Sequence, residues 1–207
     1  MEGLFRDEYG QEPIAIRLGA EGRLLSTQLR GVGFAGDSFG RLRPQVERII
    51  TLDQIVHLDE DGWLSSFSLI CSMPVKIIYR GETVEGVLDV TYVDGPFEQA
   101  SDEGELKLSL RTAEGVYESR GNDKWFSFEY ETLQAQLPAG MNLKTCLSCR
   151  FSDYNPFVGT GLMGELACFV NSVDEFKYAR QRGKGFRGWR RNKSAPEFAY
   201  ALVQEFH

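Results

Sequence analysis

Two stretches near the middle of the chain alternate strictly, and this alternation limits the fold more than any other feature. Leu88, Val90 and Tyr92 are separated by Asp89, Thr91 and Val93, and Leu106, Leu108 and Leu110 by Lys107, Ser109 and Arg111. A period of two puts one apolar set on a single face of an extended strand, which must then be buried against another layer. Runs at 46–52, 64–73, 75–80, 84–92 and 105–112 are likewise rich in Val, Ile, Leu, Tyr and Thr, with turn clusters such as Arg80-Gly81-Glu82 and Val93-Asp94-Gly95-Pro96 between them. Residues 14–18 and 23–29 flank Gly19-Ala20-Glu21-Gly22 and read as a hairpin. Short strands without intervening helices point to a sandwich or a curled antiparallel sheet and argue against a doubly wound fold.

The period changes near Trp125. Phe126, Tyr130, Leu133 and Leu137 form one helical stripe, with Ser127 as its expected cap, Glu129 and Glu131 in its first turn, and Pro138-Ala139-Gly140 as its stop. A second helix is expected from Ser172-Val173-Asp174-Glu175, a capping-box sequence, and a closing strand over 197–206. The fold class is therefore α+β, mainly antiparallel β, with two or three helices in the C-terminal part. A β-rich domain over 1–122 and a C-terminal α+β part over 123–207 are expected to pack as one unit.

With 207 residues, 42% of them hydrophobic, the chain can bury a core without a staple. No apolar run approaches the ~18 residues of a membrane helix, and the first eight residues hold neither a basic leader nor an apolar run, so a cytoplasmic protein is expected. The net charge of −7 hides an asymmetry: residues 177–193 hold eight cations and no acid, while thirteen acids face four cations between Glu82 and Glu131. Such a layout suits either a nucleic-acid-binding arm or a segment lying on its own acidic surface. Lys184, Arg187, Trp189, Arg190, Arg191 and Lys193 are the candidates for contact with phosphates and bases.

Cys146-Leu147-Ser148-Cys149 is a C-x2-C knuckle, and Cys168 follows on a strand expected to return beside it. Two thiolates on one tight turn can share a tetrahedral Zn²⁺, and a structural site needs four protein ligands. His207, Cys71, His57 and carboxylates such as Asp153 are available as the fourth. Buried free thiols, a redox pair and a disulfide are the competing readings. Gly31-Val32-Gly33-Phe34-Ala35-Gly36 matches a dinucleotide fingerprint and Gly36-Asp37-Ser38-Phe39-Gly40 a nucleophile elbow, but both chemistries need a helix to open there. Pro44 leaves little room for one. Asp59-Glu60-Asp61-Gly62 reads as a solvated turn, not a calcium loop.

The segment from Cys146 through Phe151-Ser152-Asp153-Tyr154-Asn155-Pro156, then Gly161-Leu162-Met163-Gly164 and Cys168-Phe169, resembles the core of an uncharacterised bacterial family with no assigned activity. That family carries a leading helix ending in Leu-Pro, here Leu137-Pro138, and a later Val-Gln-Glu-x-His element, here Val203 to His207. The likeness covers about the last 80 residues well, judged by motif spacing, and the β-rich part loosely. It implies His207 as the fourth ligand beside Cys146, Cys149 and Cys168. The leading expectation is a non-enzymatic binding protein with a structural zinc and a protein partner, in an accessory or antitoxin-like role in bacterial defence. Nucleic-acid binding through 177–193 and a serine hydrolase built on Ser38 are the alternatives.

Overall fold

A computed structural model describes residues 1–18, 25–46, 52–95, 104–123, 126–145, 148, 152–154, 165–168 and 193–196. The main sheet is antiparallel and built on two thirteen-residue strands, β7 (Phe67–Tyr79) and β8 (Glu82–Asp94), joined by the two-residue turn Arg80-Gly81. Both turn residues have positive φ, 52° and 84°, as a type I′ hairpin turn requires. β9 (Glu105–Thr112) and β10 (Gly115–Glu118) extend the sheet beyond β8. The other edge of β7 is shared: β1 (Glu2–Asp7) covers Phe67 to Ser72, with β2 (Gly10–Ala15) outside it, and β11 (Met141–Leu143) covers Ile77 to Tyr79.

A second antiparallel sheet runs β3 (Arg17–Leu18), β4 (Leu25–Leu29), β5 (Val32–Gly36), β6 (Leu42–Pro44). Its inward residues, Leu25, Leu29, Phe34 and Leu42, share one core with Phe5, Phe67, Leu69 and Tyr92 of the main sheet. Phe67 stacks on Phe5 at 5.5 Å between ring centroids and lies 5.8 Å from Tyr92. These rings join two sheet faces that each follow the alternation expected of a half-buried strand. The helix α1 (Phe126–Gln136) packs on β9 and β10 with Phe126, Tyr130 and Leu133 buried and Leu137 against the same core. The predicted stripe is therefore the buried one. A third antiparallel sheet consists of β12 (Ser152–Tyr154), β13 (Glu165–Cys168) and β14 (Lys193–Pro196).

Several expectations need correction. Among the described residues there is one α-helix, not two or three. The helix expected from Ser172 and the closing strand over 197–206 lie outside the described residues. Ser127 is not the cap, because the helix already includes Phe126. Leu52, expected to end a strand, opens a short 3₁₀ helix (Leu52–Gln54).

The runs at 64–73 and 75–80 merge into one strand over Phe67–Tyr79, with Pro74 inside it. The register explains why the proline is tolerated. Tyr79 and Glu82 flank the two-residue turn, so odd-numbered residues of β7 bond to β8 and even-numbered ones point to the opposite edge. There β1 ends at Ser72 and β11 begins at Ile77, so the missing amide of Pro74 faces the gap between them.

Candidate functional site

Cys146, Cys149 and His207 lie outside the described residues, as do Lys184, Arg187, Trp189, Arg190 and Arg191. Cys168 and Lys193 are placed in the backbone: Cys168 stands opposite Ser152 on one side and opposite Lys193 on the other. The β12–β13 pairing thus brings the third cysteine level with a position three residues past Cys149. Among the described residues no three His, Cys, Asp or Glu side chains gather as a metal site would need. Cys71 is buried inside the main sheet, and burial pushes its thiol up to about 12, which makes it an unreactive core residue. The exposed His57 shares a 2.7 Å hydrogen bond between its Nδ1 and Ser65 Oγ.

The glycine motif has a structural reason. Gly31 closes the β4–β5 hairpin with Arg30 (φ 81° and 48°), and Gly33 and Gly36 lie within β5. A Cβ on Gly36 would stand 1.5 Å from the carbonyl oxygen of Arg41, so the return from β5 to β6 requires glycine there. No helix follows Gly36 or Ser38; the chain turns directly into β6. Ser38 is buried, with a 3.4 Å contact to Asp37 Oδ1. The Asp59 turn is closed by its own backbone amides: Oδ1 accepts from Asp61 N at 2.9 Å and Trp63 N at 2.8 Å, and Arg43 lies 3.8 Å from the Trp63 ring centroid.

The outward face of the main sheet combines acids with exposed aliphatic groups. Ser72 stands opposite Asp89 and donates to it at 2.5 Å, and Arg111 grips the same carboxylate at 2.7 and 2.9 Å. Partial burial works to raise this carboxyl, but the bonds from Arg111 and Ser72 outweigh it and hold Asp89 below its ordinary value. Lys107 pairs with Glu118 at 2.8 Å. Both cations of β8–β10 are thus engaged by acids of the same surface, while Glu85, opposite Lys76 of β7, and Glu114 are exposed beside them. Val116 on β10 is 60% exposed and Ile70 on β7 42%, although an antiparallel sheet facing water usually carries polar side chains there.

A groove of about 590 Å³ lies where the two sheets meet at β2. Glu12 to Ala15 form one wall, and Ser26, Gly33 and Ala35 on the outer face of β4–β5 form its floor. One end is held by a cluster that sequence reasoning missed. Arg30 forms a bidentate pair with the buried Asp7, both contacts at 2.6 Å, and donates to the Ile55 carbonyl and, at 3.3 Å, to the Gly10 carbonyl. Its guanidinium lies 5.5 Å from the Phe5 ring centroid and 5.8 Å from that of Tyr9, and its backbone amide donates to Glu12 Oε1 at 2.7 Å. The Asp7 bonds raise the guanidinium pKa further, so the charge is permanent. A two-residue break between the runs ending at Leu29 and starting at Val32 was the available sequence signal for this hairpin.

Searches of curated proteins and of solved structures found no match to the chain. A family model does match, and over the β-rich part more than the C-terminal part, covering residues 1–152 and so reaching Cys146, Cys149 and Ser152 but not Cys168 or His207. That match spans well over half of the chain, which therefore belongs to DUF6304, a family of unknown function.

Proposed function

We propose that this protein is a non-enzymatic, protein-binding domain that docks a basic partner on the β8–β10 side of its main sheet, with a structural zinc holding the C-terminal part. The observation that carries the first half is the combination on one surface of the exposed acids Glu85 and Glu114 with the exposed Val116. Lys107 and Arg111 are already engaged by Glu118 and Asp89, and Glu85 and Glu114 outnumber the further cation, Lys76 opposite Glu85, so the field stays negative and favours a positively charged partner. An aliphatic centre ringed by charge is the usual composition of a specific interface. In quantitative cross-linking and mass spectrometry, a protein enriched by the wild type should be lost with the Glu85→Lys, Glu114→Lys variant. With both proteins purified, binding should weaken about tenfold or more and fall with added salt. Equal binding by the charge-reversed variant would reject the surface.

The zinc half rests on the β12–β13 register. A residue spans at most about 3.6 Å, so Cys149 lies within about 11 Å of chain from Ser152, which stands opposite Cys168. That is consistent with Cys146, Cys149 and Cys168 meeting at one ion, with His207 as fourth ligand. A site with four protein ligands has no open position for water and would be structural. Elemental analysis of protein purified under reducing, metal-replete conditions should give about one zinc per chain, lost in Cys149→Ser and weakened in His207→Ala. Absence of zinc in the wild type would remove this part of the reading.

A further inference from the structure

The groove beside β2 is a fork between two strands that stop pairing. In the β3–β4 ladder Arg17 faces Ser26 and Leu18 faces Leu25. Continued backwards, that register would set Ile16 against Thr27 and Ala15 against Gln28. It does not continue. The amide of Ile16 bonds to the Met1 carbonyl at 2.8 Å, and the chain leaves β4 to pair with β1.

Alternation within the ladders determines which backbone groups face the fork. Met1 and Ile16 bond to each other in both directions, so Gly3–Ile14 and Phe5–Glu12 are the next bonded pairs of β1–β2. Pro13 and Ala15 then turn their backbone groups away from β1, which is also the only parity at which a proline fits. On β4, Leu29 and Val32 flank a two-residue turn, so Thr27 bonds to Phe34 and Gln28 points away from β5. No ladder joins β2 to β4 among the described residues. The Pro13 carbonyl, the Ala15 amide and carbonyl, and the amide and carbonyl of Gln28 therefore face one groove from its two sides.

Other features mark it as a place for a strand. Its floor is made of Ser26, Gly33 and Ala35, small enough for a peptide backbone to approach closely. Arg17 is exposed at the mouth, while the one acid of the lining, Glu12, is occupied by the Arg30 amide. Arg17 thus offers an exposed cation at the mouth of the groove, where an acidic side chain of an occupant can meet it.

We infer that this fork is a strand-addition site, which takes an extended segment of a partner protein carrying an acidic side chain. The segment pairs with Pro13 and Ala15 on one side and Gln28 on the other, and sets its carboxylate against Arg17. Backbone bonds supply the attraction and the narrow floor selects small side chains, as in other cases of peptide addition to a sheet edge.

Random linear peptides displayed on phage, selected on the full chain and then synthesised with a fluorophore, provide the probe. Selected sequences should carry an acid and bind with an affinity reduced about tenfold or more by Ala15→Pro and by Gly33→Val, and reduced at least about threefold by Arg17→Glu. Ala15→Pro deletes only an outward amide, at the parity Pro13 already occupies. Gly33→Val fills the floor, and its Cβ meets Gln45 Cβ at an ordinary 3.9 Å. Should Ala15→Pro fail to fold, Gly33→Val decides alone. Reversal of Glu85 and Glu114 should leave peptide binding unchanged, which separates this site from the proposed docking surface. Failure to enrich any sequence, or peptides indifferent to both groove variants, would overturn the inference.

Discussion

Glu129→Ala should destabilise the protein by about 3–5 kcal/mol, a larger loss than a surface carboxylate on a helix could produce. Glu129 is 0% exposed. One oxygen accepts from the Gly121 amide at 2.7 Å, and the other from the amides of Asn122 and Asp123, each at 3.1 Å. Three successive backbone donors between β10 and α1 thus close on a single buried carboxylate, and Gly121 reaches this geometry with a φ of 70°. Alanine removes every acceptor and leaves a cavity. An unsatisfied buried amide costs about 1–3 kcal/mol, and water entering the cavity relieves part of the sum. Glu129→Gln keeps one acceptor oxygen, so about half the loss is expected. Urea unfolding should show a lower midpoint at unchanged slope, with faster hydrogen exchange at 121–123. A loss below about 1 kcal/mol would mean that another group holds this loop.

The same residue shows where reading the sequence stops. Local periodicity was legible: Leu88 to Tyr92 and Leu106 to Leu110 are alternating strands, and Phe126 to Leu137 is a buried helical stripe. Glu129 looked like a first-turn charge favoured by the helix dipole, because its spacing suits that role. What it does instead depends on a loop six to eight residues earlier, folded back by β10. Pro74 split one strand into two on paper, since the gap that accommodates it is made by β1 and β11, far away in the sequence. The glycines around 31–36 matched a phosphate-binding pattern because a tight hairpin and a close backbone crossing also need glycine. The groove depends on a strand leaving one partner for another, which no local pattern encodes. A knuckle of cysteines is visible in any sequence, whereas the place of Cys168 opposite Ser152 depends on the pairing of β12 with β13.

Arg30→Ala is the second large effect, expected at about 2–4 kcal/mol, because it strands a carboxylate already removed from water. The Asp7 side chain is 1% exposed and that of Arg30 18%, so the pair is nearly as costly to break as a fully buried one. Without Arg30, Asp7 keeps the Tyr9 amide at 2.9 Å, too little to replace a bidentate guanidinium. Arg30→Lys should rescue little, because one ammonium cannot reach both Asp7 oxygens together with the carbonyls of Ile55 and Gly10. Arg30 also sits at a φ of 48°, which any replacement but glycine must tolerate. Arg30→Gly should therefore be milder than Arg30→Ala by about 0.5–1 kcal/mol, and the difference measures the backbone share of the effect. Asp7→Asn separates the charge: if the pair is what matters, Asp7→Asn in the Arg30→Ala background should restore stability relative to Arg30→Ala alone. Denaturant unfolding of the four proteins of this cycle gives the coupling directly. Additive losses would show that Arg30 acts through its packing between Phe5 and Tyr9, not through Asp7.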